Sequence, residues 1–153
     1  MSELQFKQFK GYVGELTAVY KRTSQKAVKV ISSKDVDAFI RPYFDQIMDN
    51  HEEFKVVYLS NYNEVLHVQE LSKGGMTGTV VDIRLLMREA LLLQTVRFCL
   101  VHNHPSGTLK ASQADIAMTE KVKKAAKFFD IEVLDHVIMT RESYLSFADE
   151  GLL

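Results

Sequence analysis

The stretch HNHPSGTLKASQAD, residues 102–115, places two histidines, two serines and an aspartate within fourteen positions. On an extended chain, residues at i and i+2 face the same way, so His102 and His104 form a natural pair of metal ligands. Pro105, Ser106 and Gly107 then break the strand and turn the chain. Ser112 stands where a helix N-cap is expected, and Asp115 falls in the first helical turn. A chain that doubles back in this way brings the Asp115 carboxylate toward the two imidazoles. Two nitrogens and one carboxylate oxygen make three protein ligands and leave a fourth tetrahedral position for water, the pattern of catalytic rather than structural zinc. Zinc lowers the pKa of such a water toward about 7. Taken singly, each piece has a plain explanation: H-x-H arises by chance, and S-x-x-D is an ordinary capping pattern with an acid set against the helix dipole. The ordered series of strand, H-x-H, turn, capped helix and first-turn aspartate is much harder to assign to chance.

The surrounding chain supplies elements that can position this segment. YVGELTAVYK (12–21) and AVKVI (27–31) read as two strands, a possible hairpin with Gly14 a candidate bulge. Val36, Phe39, Ile40, Tyr43, Phe44, Ile47 and Met48 follow helical spacing, with Pro42 expected to kink or divide the helix. FKVVYLS (54–60) is apolar on both faces and reads as a buried strand, and VLHVQEL (65–71) returns antiparallel to it after the turn NYN. TGTVV (77–81) reads as a short strand. Asp82 can cap a helix over 83–94, and RFCLVHN (97–103) is a strand running into the two histidines. A helix over about 113–129 and a strand over 131–140 follow. The expected fold is a single α/β domain, a mixed sheet flanked by two or three helices, with residues 1–31 as a strand-forming extension and 32–153 as the main domain.

Composition narrows the classes. A net charge of −1 gives no general attraction to nucleic acid or anionic membrane. There is no apolar run of the roughly 18 residues that a membrane span needs, and MSELQFKQFKG lacks the apolar core of a secretion signal. The single cysteine, Cys99, cannot form an internal disulfide and suits a reducing compartment, so a cytoplasmic protein is expected. Cys99 lies in a strand-like run and reads as a buried, inert thiol.

The segment HNHPSG-x4-S-x-x-D resembles the metal-binding motif of the RadC family, a branch of the JAB/MPN superfamily that carries the JAMM zinc-protease signature. NEVLHVQELSKGGMTGTVVDIRLLMREAL before it, and ADIAMTEKVKKAAKFFDIEVLDHVIM and YLSFADEGLL after it, are also similar to that family, so the resemblance spans about residues 34–153. It implies a JAB/MPN-like (cytidine-deaminase-like) fold and a zinc ion held by His102, His104 and Asp115. It further implies that Ser112 stabilises an oxyanion and that an upstream glutamate acts as general base. HEEF offers Glu52 and Glu53. Periodicity does not separate them, because the strand is apolar on both faces. The family's habit of an acid two residues before the residue that opens the strand selects Glu52. Two features depart from the pattern: TLKA (108–111) lacks the acid and prolines usual there, and residues 1–31 are too short for the DNA-associated helix-hairpin-helix region, so the chain resembles a stand-alone JAB domain.

The resemblance implies a zinc metallopeptidase that cleaves peptide or isopeptide bonds in a peptide or protein substrate. A non-catalytic JAB binding module and a role in DNA repair are the competing readings. DNA binding is expected to be weak at most, since the cluster Lys121, Lys123, Lys124 and Lys127 reads as a solvated helix face. His136 reads as a strand histidine in or near the core, and His51 and His67 as surface or turn residues. The literal string HNH does not define a nuclease. A zinc deaminase needs an H-x-E pair and a later P-C-x-x-C, which one cysteine excludes.

Overall fold

The run FKVVYL lies in β1 (Glu53–Leu59), and all residues of that strand are buried, as covering both faces of the sheet requires. The computed structural model describes residues 10–73 and 80–153. Around β1 the chain runs α1 (Ser33–Ile40), β1, β2 (Val65–Lys73), α2 (Ile83–Leu92), β3 (Arg97–Asn103), α3 (Gln113–Lys127), β4 (Glu132–Met139) and β5 (Tyr144–Ser146). The strands form one mixed sheet in the order β2-β1-β3-β4-β5. β3 and β4 are parallel, and the other neighbouring pairs are antiparallel. A parallel pair needs a crossover, and α3 supplies it.

Side-chain alternation along the strands divides the core into two layers. Phe54, Val56 and Tyr58 of β1 and Phe98 and Leu100 of β3 pack against α2 and α3. Val57, Leu59, Cys99 and Val101 point the other way, onto α1 and the chain that follows it. The expected α/β architecture, a mixed sheet with three helices, is the one observed.

Local signals locate most helix ends. Ser32 caps α1 by accepting from the Asp35 backbone N–H, and Asp82 caps α2 by accepting from that of Arg84. Pro42 falls in a 3-10 turn, Arg41–Tyr43, that ends α1. The apolar stripe continues beyond it, with Phe44 and Met48 buried although residues 44–50 form turns rather than helix.

The N-terminal strands are not formed. Residues 12–28 have no regular secondary structure, and Lys29 makes only an isolated antiparallel bridge to Glu64. Tyr12, Val13, Leu16 and Val19 remain largely exposed. Strand propensity is realised through cross-strand packing, and these side chains have none. The strand expected over 77–81 falls mostly outside the described residues, and Val80 and Val81 are irregular.

Leu100 is fully buried at the centre of the sheet, on the side of α2 and α3. Leu100→Ala is therefore expected to cost about 2–5 kcal/mol, a loss that urea unfolding measures directly. A cost under about 0.5 kcal/mol would contradict this packing.

Candidate metal centre

β3 ends by delivering His102 to the face that carries α3. The strand pairing sets Phe54 opposite His102, and the Phe54 ring stacks on the imidazole at 5.6 Å between centroids. His104 lies beyond the last strand residue, yet its backbone N–H still reaches the Met139 carbonyl at 2.8 Å and so continues the line of β3. The turn that follows closes through Gly107, whose N–H donates to the His104 carbonyl and whose φ of 81° is a conformation that favours glycine. That turn places the Thr108 carbonyl 2.8 Å from His104 Nδ1. The TLKA loop, although it lacks the family's prolines, thus fixes one ligand ring directly.

α3 opens with a capping box. Ser112 Oγ accepts from the Asp115 N–H at 3.0 Å, and Asp115 Oδ2 accepts from the Ser112 N–H at 2.8 Å. The cap therefore fixes the carboxylate that faces the histidines. Asp115 Oδ1 lies 3.3 Å from His102 Nε2, and Oδ2 lies 3.6 Å from His104 Nε2. The two Nε2 atoms are 3.0 Å apart. One ligand atom from each of His102, His104 and Asp115 lies within 4.8 Å of the others, and the group can hold a metal ion.

The hydrogen bonds behind these rings assign their tautomers. Thr119 Oγ1 donates to the Asp115 carbonyl at 2.7 Å, so it receives a hydrogen bond from His136 Nδ1 at 2.6 Å. His136 is fully buried, and that burial holds its pKa well below the usual histidine value. Its Nε2 is then an acceptor, which takes the Nδ1 proton of His102 at 2.8 Å. His102 Nε2 is left as a lone pair. His104 reaches the same state by donating Nδ1–H to Thr108. Two lone pairs 3.0 Å apart repel unless positive charge lies between them. The donor set suits a cation for this reason. In its absence a proton is favoured, and the hydrogen bond to Asp115 raises the His104 pKa against the opposing effect of burial. Burial alone would raise the Asp115 carboxyl, but the imidazoles of His102 and His104 beside it, and the Ser112 N–H, outweigh burial and hold the group well below the ordinary carboxylate range.

His136 reaches this position through a bulge. Phe98 pairs with Val133, but Cys99 pairs with Asp135, so Leu134 is an extra residue in β4. The extra residue reverses which face each later side chain meets. It sends Asp135 to the α1 side and turns His136 beneath His102. His136 is thus a core histidine supporting His102, and Thr119, one turn after Asp115 on α3, supports it in turn. The sequence reading did not single out Thr119, although its i+4 spacing from Asp115 places both on one face of the helix.

The two upstream glutamates differ. Glu52 lies two residues before Phe54, just outside β1, and is near enough to His104 for its charge to contribute to raising that imidazole. Glu53 is buried on the α1 side, with Oε2 2.6 Å from Lys55 Nζ and Oε1 2.8 Å from His51 Nε2. His51 is a partly exposed residue just after the turns at 44–50 that also partners Glu53, whereas His67 is a half-buried member of β2 stacked on Tyr58.

A family model described as a RadC-like JAB domain matches residues 30–152. Relatives named UPF0758 protein include one from Flavobacterium johnsoniae, 44% identical over 127 residues, covering 83% of this chain and 55% of its own length. One from Porphyromonas gingivalis is 41% identical over 103 residues, 67% of this chain and 45% of its own length. One from Methanosarcina acetivorans is 35% identical over 125 residues, 82% of this chain and 54% of its own length. The chain spans about half the length of these curated relatives.

The support beneath His102 leads to a measurable expectation. Removing a group that orients a ligand typically weakens metal binding about 10–100-fold. His136→Ala is expected to lower Zn2+ affinity in that range, as read by competition with a chelator, and Thr119→Val less so in the same direction. Unchanged affinity in a folded His136→Ala protein would show that His102 does not depend on this support.

Proposed function

Because the chain belongs to the RadC-like JAB domain family, we propose that it is a zinc-dependent hydrolase that cleaves peptide or isopeptide bonds. The observation that carries this reading is the convergence of two imidazole lone pairs and a capped carboxylate on one point, with Glu52 near enough for its charge to act on His104. His102, His104 and Asp115 would hold the ion. A zinc ion held there would supply Lewis-acid chemistry, acidifying a water and polarising the carbonyl to be attacked.

The remaining work falls to side chains of this protein. Glu52 takes the proton from the attacking water and returns it to the leaving nitrogen. Glu53, already bonded to Lys55 and His51 on the far side of the sheet, is poorly placed for that exchange. Ser112 Oγ accepts from the Asp115 N–H, so its own hydroxyl proton remains available to the oxygen that gains charge during attack. Three candidate protein ligands with a carboxylate near them favour catalysis over a purely binding role.

No helix among the described residues is long and apolar enough to cross a membrane. Cys99 is buried, and burial pushes its thiol up to about 12, which leaves it inert at neutral pH. A chain without an internal disulfide suits a reducing compartment, and the cytoplasm is the proposed location. The proposed substrate is a peptide or protein of unspecified sequence.

Purification in metal-free buffer followed by elemental analysis is expected to find about one zinc per chain in the wild type and little in His104→Ala. Screening against quenched fluorescent peptides and a model isopeptide then reads hydrolysis. Glu52→Gln is expected to keep its zinc and lose activity by about 10²–10⁴-fold. Full zinc occupancy in His104→Ala would remove the proposed site, and undiminished hydrolysis by Glu52→Gln would remove the proposed base.

A further inference from the structure

Asn103 lies between the two histidines in sequence, but strand alternation sends its side chain to the opposite side of the sheet. It is completely buried there. Its amide oxygen accepts from the Glu53 N–H at 2.8 Å, and its Nδ2 donates to the carbonyls of Met48 at 3.0 Å and His51 at 2.9 Å. All three bonds go to one segment, 48–53, and two of them bracket a single residue. The His51 carbonyl belongs to the peptide unit before the Glu52 Cα, and the Glu53 N–H belongs to the unit after it. One planar side chain therefore pins both peptide planes that flank Glu52.

We propose that Asn103 is a positioning residue: by clamping the two peptide units around Glu52 to β3, it sets where the Glu52 carboxylate stands relative to His102 and His104. The inference rests on the reading in which Glu52 carries the proton. An asparagine suits the task because one rigid group offers an acceptor and two donors together. Aspartate would keep only the acceptor, and serine would reach fewer partners. Glu52 itself precedes the first residue of β1 and lacks a strand ladder of its own to hold it. The other three groups are held independently of that segment: His102 lies in β3, which is paired on both sides by β1 and β4, His104 bonds through its N–H to the Met139 carbonyl, and Asp115 is fixed by the capping box of α3. Loss of the clamp thus moves the base while the metal ligands stay in place.

The test uses the full chain loaded with Co2+, whose visible absorption reports the coordination sphere, and follows the pH midpoint of the cobalt band. A carboxylate beside the ion disfavours a second negative charge there, so Glu52→Gln is expected to lower the midpoint by about 1 pH unit. Asn103→Ala is expected to lower it about half as far, with Co2+ still bound, and to add nothing in the Glu52→Gln background, the mark of two residues acting through one group. On any peptide that the wild type cleaves, Asn103→Ala is expected to reduce kcat about 10–100-fold with KM within about twofold, as a misplaced base does.

If Glu52→Gln shifts the midpoint while Asn103→Ala does not, or if the two shifts add, the positioning role is overturned and the function stands. If Glu52→Gln itself leaves the midpoint unchanged, the base assignment fails and takes the positioning role with it. A folded Asn103→Ala that no longer holds Co2+ would place its effect on the ligands and overturn the inference. If Asn103→Ala does not fold, Asn103→Ser takes its place in the same cycle, and a serine variant that also fails to fold assigns Asn103 to stability alone.

Discussion

The parallel pairing of β3 with β4 is the constraint from which the site follows. Two parallel neighbours cannot be joined by a tight turn, so the chain must leave the end of β3 and travel back along the sheet, which α3 does. The start of that helix has to lie near the end of β3, where the crevice of an α/β sheet opens. The last residues of the strand and the first turn of the helix are thereby brought together whatever their identity. This chain puts histidines in one and a capping aspartate in the other.

Strand alternation then gives the two faces of β3 different work. One face carries His102 onto a chain of hydrogen bonds through His136 and Thr119, and the other carries Asn103 onto the backbone before β1. These buried polar groups find partners, which matters because an unsatisfied one costs about 1–3 kcal/mol. Asp135 shows the same economy on the α1 side. Burial raises its carboxyl, while Ser146 Oγ, the Ala148 N–H and the His136 N–H all donate to it and tie the C-terminal segment to β4.

What the sequence made legible was local. The H-x-H spacing, the Ser112-x-x-Asp115 box and the Asp82 cap each span a few residues, and their geometry is set by those residues alone. The bulge at Leu134 was hidden because IEVLDHVIM has apolar residues on both sides of the strand, so no polar pattern marks the change of face. The same two-sided burial hides that Glu53 turns to the α1 side, toward Lys55 and His51. That orientation depends on the pairing of Phe54 with His102, a contact between residues 48 positions apart. At the N-terminus, favourable residues were read as strands although nothing in the sequence could reveal that they would find no partner.

The distances along the chain between these groups give the site an order of assembly. His102, His104 and Asp115 fall within one short segment, whereas Glu52 comes from 50 residues before His102. Closing the loop from Glu52 to Asp115 costs about 1.4 kcal/mol more entropy than closing the one from His102 to Asp115. The histidines and the aspartate are therefore the less costly group to bring together, whereas Glu52 joins them only through the pairing of β1 with β3. The donor group is a local product of the chain, and its neighbour across the sheet is a long-range one.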